Sequence, residues 1–391
     1  MRTDVVVIGG GIMGSALAYW LTHFDTTASV TVIERDPTYA RASSALSAAS
    51  IRQQFSSAVN IRVSRDSIEL LRSVGDWLAV GPERPDIGLT EGGYLYLVGT
   101  GGLEALRQSH AVQRREGADV ALLDGDALGA RFPWLDRAGL AAGSLGLSGE
   151  GWFDGYALLM ALVRKAKSQG ARYRRGDVAG IAVDGHRVSG LELADGTRLE
   201  PGIVVNAAGP WAGRIAALAG IDLPVAARRR TVYVVGCRAA LPGFPLIIDR
   251  SGFWIRPEGA HYIGALPPPD EADDPDEPPL EPELGRFESE FWPLLAARIP
   301  AFEAARLERA WAGYYEYNTF DQNGILGLHP SLDNFVFMNG FSGHGIQQAP
   351  VIGRGIAELI LTGRYATLDL SDLGIARLID RRPLVEANVI G

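Results

Sequence analysis

The sequence predicts an α/β fold in which a parallel, doubly wound domain of dinucleotide-binding type is interleaved with a mostly antiparallel α+β domain. Three observations carry that prediction. An apolar run leads directly into a glycine turn and a helical pattern at residues 5–24, and the same order of strand, glycine turn and helix returns near residue 340. Between these ends lie strand-like, aromatic-rich runs at 92–98, 230–236 and 252–266, which read as one sheet of the second domain.

Val5 to Ile8 form a short buried strand, and Gly9, Gly11 and Gly14 follow it with G-x-G-x-x-G spacing. Gly9 permits the tight turn, Gly11 lets backbone approach a pyrophosphate, and Gly14 lets the next helix pack closely on the strand. Val30 to Ile33 form a second strand, and Glu34 at its end can accept hydrogen bonds from ribose hydroxyls while repelling a 2'-phosphate. The apolar stretch 5–21 reads as this unit and not as a leader or membrane anchor, because three glycines and Asp4 interrupt its ends and interior.

Further along, Asp154 caps an amphipathic helix that stops at Gly170, and Asp184-Gly185 and Asp195-Gly196 mark hairpin turns of a small meander. Ile203 to Val205 return to a buried strand, with Gly209 and Pro210 opening a helix. Residues 267–283, with seven prolines and eight acids, read as a solvated surface loop. A helix over about 284–299 and the strand-like AWAGYYEYNTF follow. Phe335 to Met338 then form a third buried strand before the second glycine turn and a C-terminal helix.

With 47% hydrophobic and 21% charged residues, the chain has material for two connected cores in a soluble protein. A net charge of -9 provides no basic field for nucleic acid or an anionic membrane surface, and no integral membrane segment is expected. Cys237 is the only cysteine and the six histidines lack ligand spacing, so no disulfide and no metal are expected, and a reducing cytoplasmic setting fits. Cys237 itself reads as a small buried hydrophobe.

The two glycine turns need a common explanation. A nicotinamide enzyme needs only the first, whereas a flavin enzyme of two domains uses the first for the FAD pyrophosphate and the second to bring a helix N-terminus to the pyrimidine end of the ring. The segments VVVIGGGIMG, SSALSAASIRQQFS (43–56), VVNAAGPWA (204–212) and GFSGHGIQQAPVIGRGIAELI (340–360) resemble the FAD-dependent D-amino acid oxidase superfamily. The similarity is greatest to its glycine/sarcosine oxidase group, the β subunits of sarcosine oxidase and proline dehydrogenase complexes, and the FAD-dependent oxidoreductase domain-containing proteins.

That resemblance implies a Rossmann-type FAD-binding domain made of residues 1–90, 150–222 and 320–391, and a substrate domain made of 91–149 and 223–319. It places Gly9, Gly11, Ile12, Met13, Gly14, Glu34 and Arg35 on the AMP half and Ser43 and Ser44 on the pyrophosphate. Ala48, Ala49 and Ser50 fall at the ring edge, Val178 at the adenine, and Ala207, Ala208, Gly209 and Trp211 on the ribityl side. Gly340, Ser342, Gly343, His344, Gly345, Ile346 and Gln347 fall at the pyrimidine end.

Departures from the family pattern refine this. Tyr314 stands where monomeric sarcosine oxidases carry a flavin-linking cysteine, and Ser47 where dimethylglycine dehydrogenase-like enzymes carry a histidine, so non-covalent FAD is expected. Tyr262 stands in place of an oxygen-activating lysine, which favours dehydrogenase over oxidase chemistry, and Gln347 in place of a carboxylate-binding lysine. Glu316 lies near the position of a carboxylate-binding arginine and could attract a cationic amine. Arg52 and Arg256 remain as carboxylate forks, with His344 as a flavin contact and Tyr314 as a pocket residue. The expected activity is oxidation of the C–N bond of a small amine, amino acid or N-methyl amino acid, with the electron acceptor unspecified. The alternatives are a flavin-binding assembly factor or subunit without amine turnover, and a nicotinamide dehydrogenase.

Overall fold

The computed structural model describes residues 2–268 and 277–387. Buried β-branched runs form the centre of the first sheet. Its strands lie in the order Ile325–Leu328, Phe335–Asn339, Arg198–Asn206, Arg2–Ile8, Val30–Glu34 and Arg172–Arg175. All neighbours in it are parallel except the first pair. The strand Arg198–Asn206 has three partners: its start pairs antiparallel with Arg187–Leu193, which in turn pairs with Val178–Asp184, and its apolar end runs parallel to both Arg2–Ile8 and Phe335–Asn339.

The helices Ile12–Phe24, Gly155–Ser168 and Gly345–Thr362 pack against this sheet in one apolar core. The Asp154 carboxylate accepts from the Ala157 N–H and caps the second of them, as its position predicts. Both glycine turns lie at the C-terminal ends of parallel strands, Arg2–Ile8 and Phe335–Asn339, on either side of Arg198–Asn206, where open α/β sheets bind ligands.

The second sheet runs Arg306–Asn318, Val225–Gly236, His261–Ala265, Trp254–Glu258, Leu246–Ile248, Tyr94–Val98, Ala142–Gly146 and Val120–Asp124. Its pairs are antiparallel except Leu246–Ile248 with Tyr94–Val98. Alternation gives it two distinct faces. Tyr233, Val235 and Ile255 join the core under the helical segment Phe287–Arg298, while Val232, Val234 and Ile263 face Ala48 and the first domain.

Residues 269–276, the centre of the acidic proline-rich segment, lie outside the described residues. Its described end is tied down and not simply solvated: Glu277 pairs with Arg41 and Arg214, and Glu283 with Arg229 and Arg286. Cys237 is half-buried beside the second core, its thiol 3.4 Å from the Ala301 carbonyl. No helix among the described residues is long and apolar enough to cross a membrane.

Candidate active site: a cavity between two glycine turns

A cavity of about 2180 Å³, mouth included, separates the two sheets. Its lining runs from the first glycine turn to the second, as a ligand touching both would require. The first glycine turn supplies Gly9, Gly11, Ile12 and Met13 to its wall, and Glu34 and Arg35 follow from the next strand end. Gly14 lies behind them. A Cβ there would fall 1.9 Å from the Gly9 carbonyl oxygen, so this position sets the contact of helix and turn. The Glu34 carboxylate accepts from the N–H groups of Gly10 and Asp36, both at 2.8 Å, which holds it at the cavity edge.

Ser44 Oγ accepts from the Ile12 N–H at 3.0 Å and fastens the Ser43–Leu46 turn to the helix start. Ser43, Ser44, Ala48, Ala49 and Ser50 line the middle of the cavity, and Val178, Ala207, Ala208, Gly209 and Trp211 its far side. The Arg35 guanidinium stacks 3.5 Å from the Trp211 ring centre. Ser43 Oγ and Trp211 Nε1 are buried without a hydrogen-bond partner among the described residues. Such groups cost free energy unless a ligand satisfies them, and both fit a cofactor with phosphate and hydroxyl groups.

At the opposite end, Gly343, His344, Gly345, Ile346 and Gln347 line the wall where the helix Gly345–Thr362 begins. Gly343, at φ +85°, packs so closely on Tyr315 that a Cβ would meet its hydroxyl oxygen at 2.2 Å and the ring at 2.5 Å. Gly340 and Ser342 do not line the cavity. They hold the turn from behind: the Gly340 N–H donates to Glu316 Oε1 at 2.5 Å, and Ser342 Oγ accepts from the Asn318 N–H at 3.0 Å. Glu316 lines the cavity but is claimed by backbone amides of this turn, so its carboxylate positions the turn and is not a free partner for a cationic amine.

Arg52 is 4% exposed and lines the cavity. Its backbone N–H donates to Gln347 Oε1 at 2.7 Å, Nη1 donates to the Tyr96 hydroxyl, and Nη2 lies 2.8 Å from His344 Nε2. Because a guanidinium only donates, His344 Nε2 is the acceptor and the ring proton sits on Nδ1. Burial and the Arg52 charge hold the His344 pKa well below its usual value. The imidazole is therefore neutral with its lone pair engaged, which removes it as a general base in this arrangement.

Two expected pocket residues face elsewhere. Tyr262 lies on the far face of the second sheet, its ring 5.1 Å from that of Phe244 and 4.8 Å from that of Phe302. Strand alternation turns Ile263 toward Ala48 and Tyr262 away from it. Arg256 is on the correct face but one layer back: it donates to the Ala48 carbonyl at 2.5 Å and pairs with Glu258, supporting the 48–50 segment without lining the cavity. Tyr314 lines the cavity near Trp211, with its hydroxyl 2.5 Å from Arg41 Nη2.

The sequence reading missed Tyr94, Arg230 and Trp254, which line the cavity from the second sheet, and Glu150 behind it. Glu150 is fully buried and accepts from the N–H groups of Gln53 and Gln54 and from Gln54 Nε2, fixing the chain just after Arg52. No local pattern singles out these residues, since their partners are remote in sequence. Desolvation raises the Glu150 carboxyl to about 7. A carboxyl with a raised pKa in the folded state stabilises it most below the unfolded value, and that stability falls as pH rises through the folded value. Glu150→Gln is therefore expected to flatten the decline in Tm between about pH 5 and pH 8. Parallel slopes in thermal melts of the two proteins would contradict this.

The model of the family described as FAD dependent oxidoreductase matches residues 4–359, and the chain belongs to that family. It is 42% identical, over all of its length and 85% of the relative's, to FAD-dependent oxidoreductase domain-containing protein 1 of Xenopus laevis. It is 24% identical to the monomeric sarcosine oxidase of a Bacillus strain, over 92% of this chain and 93% of that one. Among solved structures, L-proline dehydrogenase from P. horikoshii superposes with a TM-score of 0.85 and 27% identity, covering 98% of this chain and 99% of that chain. The protein is an FAD-dependent oxidoreductase with the mixed α/β fold of these flavoproteins.

Proposed function

We propose that the chain oxidises the C–N bond of a small amine, amino acid or N-methyl amino acid, with FAD held non-covalently between the glycine turns. The observation that carries this reading is Arg52: a buried guanidinium at the cavity wall, beside the helix start that follows the second turn, with no carboxylate within ion-pair distance among the described residues. Its Nη1 and Nη2 meet the uncharged groups Tyr96 and His344 and its Nε has no hydrogen-bond partner among the described residues, so a substrate carboxylate would supply a counter-charge at contact distance through the fork geometry of the side chain.

Bound FAD would supply the hydride acceptor. The residues of the chain supply position: Arg52 fixes the carboxylate, Gln347 and Tyr96 hold Arg52, and the amides at the start of Gly345–Thr362 offer positive potential to developing charge. With His344 occupied, the substrate nitrogen enters as the neutral amine and its proton is lost to solvent. The sarcosine oxidase relative supports an amine substrate, and Tyr314 and Ser47 support non-covalent attachment. We further assign the FAD domain to residues 1–90, 150–222 and 320–391, the substrate domain to 91–149 and 223–319, and the protein to a reducing cytoplasm, the last on its single cysteine.

Anaerobic mixing of the yellow protein with amines and N-methyl amino acids tests this. Loss of the oxidised flavin band with at least one of them is expected. A flavin that every such compound leaves oxidised would contradict turnover and favour a flavin-binding subunit without its own amine chemistry.

A further inference from the structure

We propose that the substrate is a monocarboxylate carrying a sizeable apolar body, aliphatic or aromatic, and not a glycine-sized or dicarboxylic amine. This rests on the preceding reading and deepens it. The cofactor-binding segments occupy the first domain's side of the cavity, so the opposite wall, contributed by the second sheet, is the one left to the substrate. Alternation on four neighbouring strands turns Val232, Leu246, Ile248, Trp254 and Ala265 into that wall. Arg52 reaches its edge through Tyr96, which packs in the same apolar cluster as Leu246 and Ile248. Of the two guanidiniums at this wall, Arg230 is stacked on Tyr315, and Arg52 beside the apolar surface suits a carboxylate with a hydrocarbon body.

The other charged lining residues do not alter this chemistry. Arg230 is stacked on Tyr315, 4.3 Å from the ring centre, and Glu316 serves the Gly340 amide. Glu34, Arg35, Asp36, Arg41 and Asp177 belong to the first domain's side of the cavity. A cationic side chain would thus meet no available carboxylate among the described residues at the sheet wall. A substrate as small as glycine would leave the wall's apolar surface in contact with water.

The test uses the holoprotein and two readouts. The first is perturbation of the flavin spectrum by non-oxidisable acids, with phenylacetate and isovalerate expected to bind on the order of 10- to 100-fold more tightly than acetate, the return for burying one apolar group. The second is anaerobic flavin reduction, expected to be faster with N-methylleucine or N-methylphenylalanine than with sarcosine or N-methylaspartate. Ile248→Thr is expected to narrow the phenylacetate-to-acetate ratio several-fold at unchanged flavin content, and Trp254→Phe provides a second variant should the first fold poorly.

Equal or tighter binding of acetate, or a preference for succinate, would overturn the proposal. Tight phenylacetate binding with no reduction by any amine would support the apolar carboxylate class while the C–N oxidation reading fails. Reduction by sarcosine alone would do the reverse.

Discussion

Arg52→Met is expected to lower kcat/KM for a carboxylate substrate by about 100- to 1,000-fold while leaving flavin content unchanged. Truncating one partner of a buried, hydrogen-bonded charge pair costs ~2–5 kcal/mol, which is the origin of that range. Methionine keeps an apolar stem against Phe55, whose ring centre lies 4.5 Å from the guanidinium carbon, so the site should not collapse. The loss is expected mainly in KM for carboxylates, with uncharged amines almost unaffected. A merely structural role would weaken both substrate types alike, and comparing them in steady-state kinetics separates the two accounts.

Gly14→Val is expected to destroy flavin binding and destabilise the fold by several kcal/mol. A Cβ at this position falls 1.9 Å from the Gly9 carbonyl oxygen and 3.1 Å from Val7 Cγ1, so the first obstacle is backbone that no rotamer change can move. Overpacking a core typically costs ~1–3 kcal/mol, and a backbone clash belongs at or beyond the top of that range. The flavin-to-protein absorbance ratio and a thermal melt check this. A yellow variant melting with the parent would contradict the proposed contact between turn and helix.

The strands, the glycine turns and most of the residues that line the first domain's side of the cavity were legible because each is specified locally. Short apolar runs, glycine spacing and period-two alternation are properties of a dozen residues, and the structure contains those elements. The substrate side was less legible because distant segments build it. Gln53 and Glu150 are 97 positions apart, and Arg52 and Tyr96 are 44 apart, so neither contact leaves a local pattern.

Tyr262 illustrates a different failure. The aromatic pattern placed it correctly on a strand and family resemblance put it in the pocket, but a shift of one residue along a strand exchanges the two faces, and Ile263 turns inward instead. Glu316 is read from its family position and its charge, whereas the amides at the second glycine turn must find acceptors and take that carboxylate. In each case the missing information was direction or prior engagement of the side chain, not its chemical type.

On the proposed reading, one flavin spans both glycine turns. A crystal structure of the yellow protein tests it most directly. The account predicts the pyrophosphate at Gly11 and Ser43, with the pyrimidine edge of the ring against the backbone N–H groups of residues 344–346. A flavin whose ring lies away from the second turn, or a bound nicotinamide dinucleotide in its place, would contradict it.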